Sequence, residues 1–465
     1  MMDGLKISLR KILYSAFKRK LTSEIKVAQF SGYVSEHSAY HHGEASLNGA
    51  IVNMAQTFVG SNNINLLEPN GQFGTRLQGG DDSASERYIF TQLNPLTRKI
   101  FPEADDAVLK YINDDGTIVE PEFYAPIIPF TLINGISGIG TGFSCSIPAY
   151  NPMDAVRYLK SKLTATAYGG GEFIPYYEGF KGTIRKIAEQ KYLVKGVYEK
   201  IGDDKIRITE LPVGTWTMPY ITLLEGFMDG GTDKAGKKIP PTIKDFTSIC
   251  TEVAVDITVV FPKGKLAELE SAVDSVTGIN DLEKMMKLTT TLSITNMHMF
   301  THDFKLKKYA KIEDIIDDFY GVRLTIYGKR KEALMKEMQK KLVKLSNRAR
   351  YILETLDGLV DLRRKNAQQV SELMVARKFD VLDGDYKYLI KMPMDSVTQE
   401  NVASIMKEKE ETEKLLADLA ATTLEQMWSR ELDEFEKEYG NYKRKRETGS
   451  CQKSPVKIKK TVGKK

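Results

Sequence analysis

Cysteine, histidine and long apolar runs are all scarce in this chain of 465 residues. The three cysteines, Cys145, Cys250 and Cys451, are scattered and odd in number, so they offer no metal framework and point to a reducing compartment. A membrane span needs about 20 consecutive apolar residues. The longest run here, from Tyr124 to Ile133, is broken by Pro126 and Pro129, and no membrane attachment is expected. Nothing after Met1-Met2-Asp3 resembles a signal peptide. Gly135, Gly138, Gly140 and Gly142 have the spacing of neither a P-loop nor a dinucleotide fingerprint, so no nucleotide loop is expected. The acidic doublets Asp81-Asp82, Asp105-Asp106 and Asp114-Asp115 stand in turn-like contexts and form no carboxylate cluster. Neither an ATP site nor a metal site is expected within the chain.

What is present supports several real cores. Hydrophobic residues make up 42% and charged residues 28%, in a length that suits about three domains. The charge is uneven. From Asn441 onward there are ten Lys or Arg against one acid, Glu447, while the whole chain carries only +5. A basic tail on a slightly acidic body suits either a polyanionic partner or a solubilising role.

Three segments and the tail differ in pattern. In residues 1–147, Leu9, Ile12, Leu13, Ala16 and Phe17 follow the spacing of an amphipathic helix. Leu47, Ile51, Met54, Ala55 and Phe58 predict a second helix ended by Gly60. Short helices followed by turn-rich β segments fit a helix-turn-helix with an appended wing, which can place a basic helix on DNA. Residues 148–275 read as a separate α/β domain, with a helix near Met153–Leu163 and alternation at Val253, Val255, Ile257 and Val259. Residues 276–440 read as long helices. Met338, Leu342, Leu345, Ala349, Ile352 and Leu356 form a coiled-coil seam, and a partner helix is expected from Thr398 to Glu438. An antiparallel arm with a globular tip is a dimerisation element. Residues 441–465 lack periodicity and are expected as a disordered basic tail.

The stretch from Gly60 to Phe90 combines turn formers, amides and two arginines, Arg76 and Arg87, with a single tyrosine, Tyr88. A phenol can form a covalent phosphate ester, and a guanidinium can hold the oxyanion. A strand tyrosine with its ring in the core is the other reading. Three of the five histidines fall at His37, His41 and His42. Adjacent histidines rarely ligate one ion, so Tyr40-His41-His42-Gly43-Glu44 reads as phosphate donors at a helix N-terminus or as a solvated turn. His298 and His302 are four apart, but no Glu follows His298, so the zinc-protease pattern is not met. Gly138-Ile139-Gly140 reads as a tight turn presenting one apolar side chain, either a wedge between bases or a core residue.

Several motifs together resemble the breakage-reunion region of type IIA DNA topoisomerases, on the eukaryotic-like and large-virus branch. They are Tyr40-His41-His42-Gly43-Glu44, Phe58-Val59-Gly60-Ser61-Asn62-Asn63, Gly71-Gln72-Phe73-Gly74-Thr75-Arg76 and Arg87-Tyr88-Ile89-Phe90. Val119-Glu120-Pro121-Glu122, Asn134–Gly142, Thr209-Glu210-Leu211-Pro212, Trp216, Lys287–Met297 and Trp428 extend the likeness over residues 3–440. The resemblance implies an α+β multidomain fold. Its parts would be a winged-helix domain (1–147), an α/β tower (148–275) and a long antiparallel coiled coil with a globular dimerisation gate (276–440). It implies Tyr88 as the nucleophile that forms a 5′-phosphotyrosyl link, Arg87 as oxyanion clamp, and His42 and Arg10 as catalytic helpers. Lys6, Tyr40, His41, Ser46, Trp216, Lys287, Thr289, Thr290 and Asn296 match DNA-contacting positions, and Ile139 matches the wedge that bends the cleaved segment.

The implied activity is a transient double-strand break, strand passage and religation, relaxing or decatenating duplex DNA. The implied partners are DNA, a second copy of the chain, and a TOPRIM/ATPase subunit or the N-terminal half of the same polypeptide. The implied cofactors, Mg²⁺ and ATP, would bind that other part. The implied location is intracellular, in the nucleus or at a site of viral DNA replication. Ile7-Ser8-Leu9 stands where the family has Pro-Gly-Gln, Phe143 stands for a usual Trp, and Glu86 places an acid beside Arg87. The missing metal-binding part and Glu86 also leave room for a catalytically silent, DNA-bending dimer.

Overall fold

The computed structural model describes residues 1–232, 238–393 and 396–451. They form two compact units, residues 1–323 with 429–451, and Leu324–Trp428. No helix among the described residues is long and apolar enough to cross a membrane.

The first unit begins with three helices, α1 (Ile7–Lys18), α2 (Val27–Ser38) and α3 (Glu44–Ala55). Ile12, Leu13, Ala16 and Phe17 are buried on the predicted face of α1, and Leu47, Ile51, Met54 and Ala55 on that of α3. The third helix stops before Phe58, earlier than its pattern suggests. Gln56 turns extended and its amide Nε2 donates to the Phe73 carbonyl at 3.0 Å, which takes the chain off the helix axis. Strand β1 (Ile25–Lys26) pairs antiparallel with β2 (Phe90–Thr91), tying the entry of α2 to the residues just after Tyr88.

Two hairpins follow, β3 (Tyr111–Asp114) with β4 (Thr117–Pro121) and β5 (Ile136–Gly140) with β6 (Phe143–Ile147). Ile139 therefore lies within a strand. The tight turn is Thr141-Gly142, where Gly142 takes a φ of +82°. Only Gly tolerates such a value without strain, so the tip of the hairpin forms two residues later than the Gly-Ile-Gly pattern indicates.

Asn151 caps the Pro152–Leu163 helix by accepting from the Met153 N–H at 2.9 Å. Beyond it lie strands β7 (Thr183–Ala188), β8 (Lys191–Lys195), β9 (Val197–Gly202) and β10 (Lys205–Glu210). Strand β10 lies between β9 and the Ile257–Val260 strand, whose Ile257 and Val259 are buried as the alternation requires. Val253 is exposed and lies outside that strand. The long helices do not begin near Val276. Thr289–Ser293 is a strand that pairs with β8, so the sheet continues past the expected boundary. β-Branched Thr289, Thr290 and Thr291 suit a pleated, half-buried surface better than a helix. The long helix, Ile312–Leu356, begins only after a further hairpin of His298–Phe300 with Leu306–Lys308.

In the second unit the expected seam positions Leu345, Ala349 and Ile352 are buried and pack with Ile405 from the Gln399–Ala421 helix. Leu356, the last seam position, is 45% exposed. A separate cluster of Tyr351, Val360, Met374, Phe379, Tyr386 and Leu389 forms the small globular part.

The expected single helix from Thr398 to Glu438 is broken. A new helix, Leu424–Cys451, begins after Thr422-Thr423. Thr423 and Gln426 exchange backbone and side-chain bonds at 3.0 and 3.2 Å, a capping box that starts a helix there. That helix continues to Cys451, so residues 441–451 are ordered helix rather than irregular tail. Tyr442 and Arg446 explain this, because both bond to the loop at Asn62–Asn65. The rest of the expected tail, 452–465, lies outside the described residues.

Candidate functional site

Tyr88 is held at the surface by its neighbours' backbone. The Val27 N–H donates to the Ile89 carbonyl, the Ala28 N–H to that of Glu86, and the Tyr88 N–H to that of Ser85. Ile89 is buried against Gly71, whose φ of +121° and lack of Cβ let the two chains approach. Ile89 packs inward, while Tyr88, on the turn just before it, is 72% exposed. The core reading of this tyrosine is therefore overturned. The Arg87 guanidinium lies 5.9 Å from the Tyr88 ring centroid and makes no ion pair or hydrogen bond among the described residues. The Glu86 carboxylate accepts from the Ser85 hydroxyl at 3.3 Å and forms no salt bridge with Arg87. The arrangement presents a phenol and an uncommitted cation side by side in water. That pair can attack and clamp a phosphate.

Arg76, the other arginine of the stretch, is almost fully buried. It forms an ion pair with Glu210 and donates to the Leu211 carbonyl at 3.1 Å. Glu210 also accepts from the Lys181 N–H at 3.1 Å, so this arginine joins the loop to the strand-rich part. Asp82 closes the adjacent turn through the Thr75 N–H at 2.8 Å. Asp105 pairs with Arg323 and Asp106 with Arg98, which accounts for both acids of that doublet. Among the described residues no group of three or more His, Cys, Asp or Glu could hold a metal ion.

Tyr40, His41 and His42 line an open cleft of about 320 Å³ with Ile7, Ser8 and Lys11 of α1 and the β3–β4 hairpin. Tyr40 is buried and its hydroxyl donates to Ser46 Oγ at 3.3 Å, while both histidines are exposed. Arg10 is committed elsewhere. Its Nε and Nη2 reach the two oxygens of buried Asp3 at 2.9 and 3.2 Å, and Nη2 also reaches the Leu5 carbonyl. Burial works against its charge, yet Asp3 outweighs it and the guanidinium is held above its ordinary range.

Ile139 is 94% exposed on the β5–β6 hairpin, and the end of the Lys6 side chain lies beside Gly138 on the same ribbon. Trp216 is half-buried. It meets Phe58 edge-on at 5.6 Å, and a Cβ on Gly79 would sit inside its indole, so the Gly79 loop packs directly on the ring. Lys287 is exposed with a φ of +48°, and Thr289 and Thr290 are half-buried on the strand paired with β8. The Asn296 amide Nδ2 donates to Ser144 Oγ at 2.6 Å, and its Oδ1 lies 2.8 Å from His298 Nδ1.

The sequence profile of the A-type polypeptide of DNA gyrase and topoisomerase IV matches residues 1–433. The chain belongs to that family. It is 38% identical to DNA topoisomerase 2-alpha of Gallus gallus over 492 residues, covering 99% of this chain and 31% of that protein. DNA topoisomerase 2 of Arabidopsis thaliana is 39% identical over 94% of this chain, and human DNA topoisomerase 2-beta is 38% identical over 94%. This family member thus spans less than a third of those relatives. Among solved structures, the DNA-binding, cleavage and re-ligation domain of Plasmodium falciparum topoisomerase II superposes with a TM-score of 0.88 at 37% identity. That match covers 97% of this chain and 63% of the other.

The family motifs also contain residues whose role was not read from sequence. Buried Asn63 donates to the Ile133 and Tyr176 carbonyls at 2.8 and 3.0 Å and accepts from the Glu178 N–H at 2.8 Å. Asn134 makes the matching exchange with both backbone groups of Ile64. The Asn62-Asn63 doublet was the available signal, since amides saturate backbone groups in irregular loops.

Proposed function

We propose that this chain is the DNA-cleaving and rejoining part of a type IIA topoisomerase. Its three parts would be a winged-helix domain carrying Tyr88, a tower built on the β7–β10 sheets, and a coiled-coil arm with a dimerisation gate. The observation that carries this reading is the exposed Tyr88 beside an Arg87 with no ion-pair partner among the described residues. In the proposed step the Tyr88 phenol gives up its proton to water as its oxygen attacks the phosphorus. The P–O3′ bond breaks, and the 3′ oxygen takes a proton from water and leaves as a hydroxyl. A 5′-phosphotyrosyl ester remains, and the reverse attack by the 3′ hydroxyl rejoins the strand.

Arg87 would stabilise charge on the non-bridging oxygens, a contribution typically of about 3–4 kcal/mol for one well-placed donor. His42 is the proposed second donor. Arg10 fits better as a support, since its Nε and Nη2 are engaged by Asp3 and the Leu5 carbonyl. Lys6, Tyr40, His41, Ser46, Lys287, Thr289 and Thr290 are the proposed DNA contacts, and Ile139 the proposed wedge. Trp216 supports the Gly79 loop in addition to any DNA contact.

Among the described residues no group of three or more carboxylates or imidazoles is placed to hold Mg²⁺. The proposal assigns the metal and ATP to a TOPRIM/ATPase part, and the substrate to duplex DNA. A homodimer is supported by Leu353, Leu356 and Leu359, each exposed near the end of the arm.

Mixing the protein with a TOPRIM/ATPase part, Mg²⁺ and end-labelled duplex should give protein covalently attached to 5′ ends. Tyr88→Phe should abolish the adduct. An adduct that survives Tyr88→Phe would remove the nucleophile assignment, and bent DNA with no adduct from the wild type would leave only a silent binding dimer.

A further inference from the structure

The β5–β6 hairpin carries the most exposed large apolar side chain among the described residues, Ile139. A two-stranded ribbon in water is marginally stable by itself, so something must hold it if Ile139 is to push against stacked bases. Cross-strand partners present their side chains on one face, and the register sets Ile139 opposite Ser144. Ser144 is the residue that Asn296 grips, through Nδ2 to Oγ at 2.6 Å. The Asn296 carbonyl also accepts the Ser146 N–H at 2.8 Å, two residues along the same strand. Because Nδ2 donates to Ser144, Oδ1 is the acceptor left for His298, whose Nδ1 must then carry the hydrogen at 2.8 Å. On the other face of the ribbon, Phe143 packs on Gly140 and meets Phe300 edge-on at 5.4 Å.

We propose that Asn296 and His298 are positioning residues that fix the pose of the Ile139 hairpin, so that DNA bending depends on them although the bending side chain is Ile139. This rests on the wedge reading of Ile139 given above. Asn296 acts through Ser144 rather than on the nucleic acid. His298 orients the Asn296 amide, which otherwise has two nearly isosteric settings. The Phe143–Phe300 contact takes the counter-thrust from the opposite face.

The test uses the full chain and a duplex labelled at both ends. Fluorescence energy transfer reads the bend, anisotropy reads affinity, and thermal unfolding confirms the fold. Asn296→Ala should lower the bent-to-straight ratio roughly tenfold while Kd changes by less than about threefold. His298→Leu should give a similar loss, whereas His298→Gln, which can still donate to Oδ1, should retain most of the bend. Should Asn296→Ala instead weaken binding and leave the bend of bound DNA unchanged, Asn296 is a DNA contact and the brace is refuted. Ile139→Ala separates the two readings. If it leaves bending intact, the wedge itself is wrong and the brace falls with it. If it abolishes bending while Asn296→Ala and His298→Leu do not, only the brace falls.

Discussion

Two arginines eleven residues apart in one loop have opposite fates. Arg76 is buried, paired with Glu210 and bonded to a backbone carbonyl, whereas Arg87 is exposed with no anion paired to it among the described residues. Their surroundings differ in the same way. Residues around Arg76 are pinned by Gln56, Asp82 and the packing of Gly79 on Trp216. Around Arg87 the chain is fixed by backbone bonds and by Ile89 packed on Gly71, and the Arg87 and Tyr88 side chains are left to solvent. A guanidinium whose charge is neutralised inside the protein is structural; one left without a counter-charge beside a nucleophile is available to a phosphate. The Gly60–Phe90 stretch is therefore a rigid base with a chemically free edge.

The sharpest way to break this contrast is to truncate each arginine. Arg76→Ala leaves Glu210 buried without its cation, and loss of one partner from such a pair costs about 3–5 kcal/mol. Denaturant unfolding should show that loss. Arg87→Ala should leave unfolding within about 0.5 kcal/mol of the wild type, as for surface changes without partners. Its effect should fall on chemistry. In the adduct assay with a TOPRIM/ATPase part, the cleavage rate should drop about 10²- to 10³-fold, the scale seen when one oxyanion donor is removed. If Arg87→Ala destabilises the fold as much as Arg76→Ala does, the division between base and edge is false.

The parts legible in sequence were those with local or periodic signals. The faces of α1 and α3, the Ile257 and Val259 alternation, and the Leu345–Ala349–Ile352 seam are buried as their spacing requires. The exposure of Tyr88 was not legible, because it follows from Ile89 packing on Gly71, a contact across 18 residues of loop. Helix ends are not legible where long-range bonds decide them. Gln56 ends α3 by bonding to Phe73, and Tyr442 and Arg446 extend the last helix by bonding to a loop some 380 residues earlier. The break at Thr422-Thr423 was legible in principle, since Thr423 and Gln426 have the spacing of a capping box. It was hidden by the expectation of one continuous coiled-coil helix. Motif order carried the assignment of the site, and no geometry could be read from it. Arg10 shows the difference: its motif position suggests a phosphate contact, while its Nε and Nη2 are held by Asp3 and the Leu5 carbonyl.

The smallest expected effect concerns the C-terminal helix and tests how far the rigid base extends. Arg446 Nη1 reaches the Asn63 carbonyl at 2.9 Å, and Nη2 reaches those of Thr57 and Asn62. One guanidinium thus gathers three carbonyls of the loop that Asn63 ties from within. The side chain is only half-buried, so water can replace part of what is lost. Arg446→Ala should then cost about 2 kcal/mol, within the range for hydrogen bonds to a charged group. Arg446→Lys should recover little of it, because an ammonium on a flexible stem cannot span carbonyls set for a planar fork. Hydrogen exchange adds a local readout: faster exchange should appear at Ser61 and Ile64 in Arg446→Ala and leave Ala28 and Tyr88 unchanged. If exchange quickens at Tyr88 as well, the edge is coupled to the base and the two halves of the loop move as one.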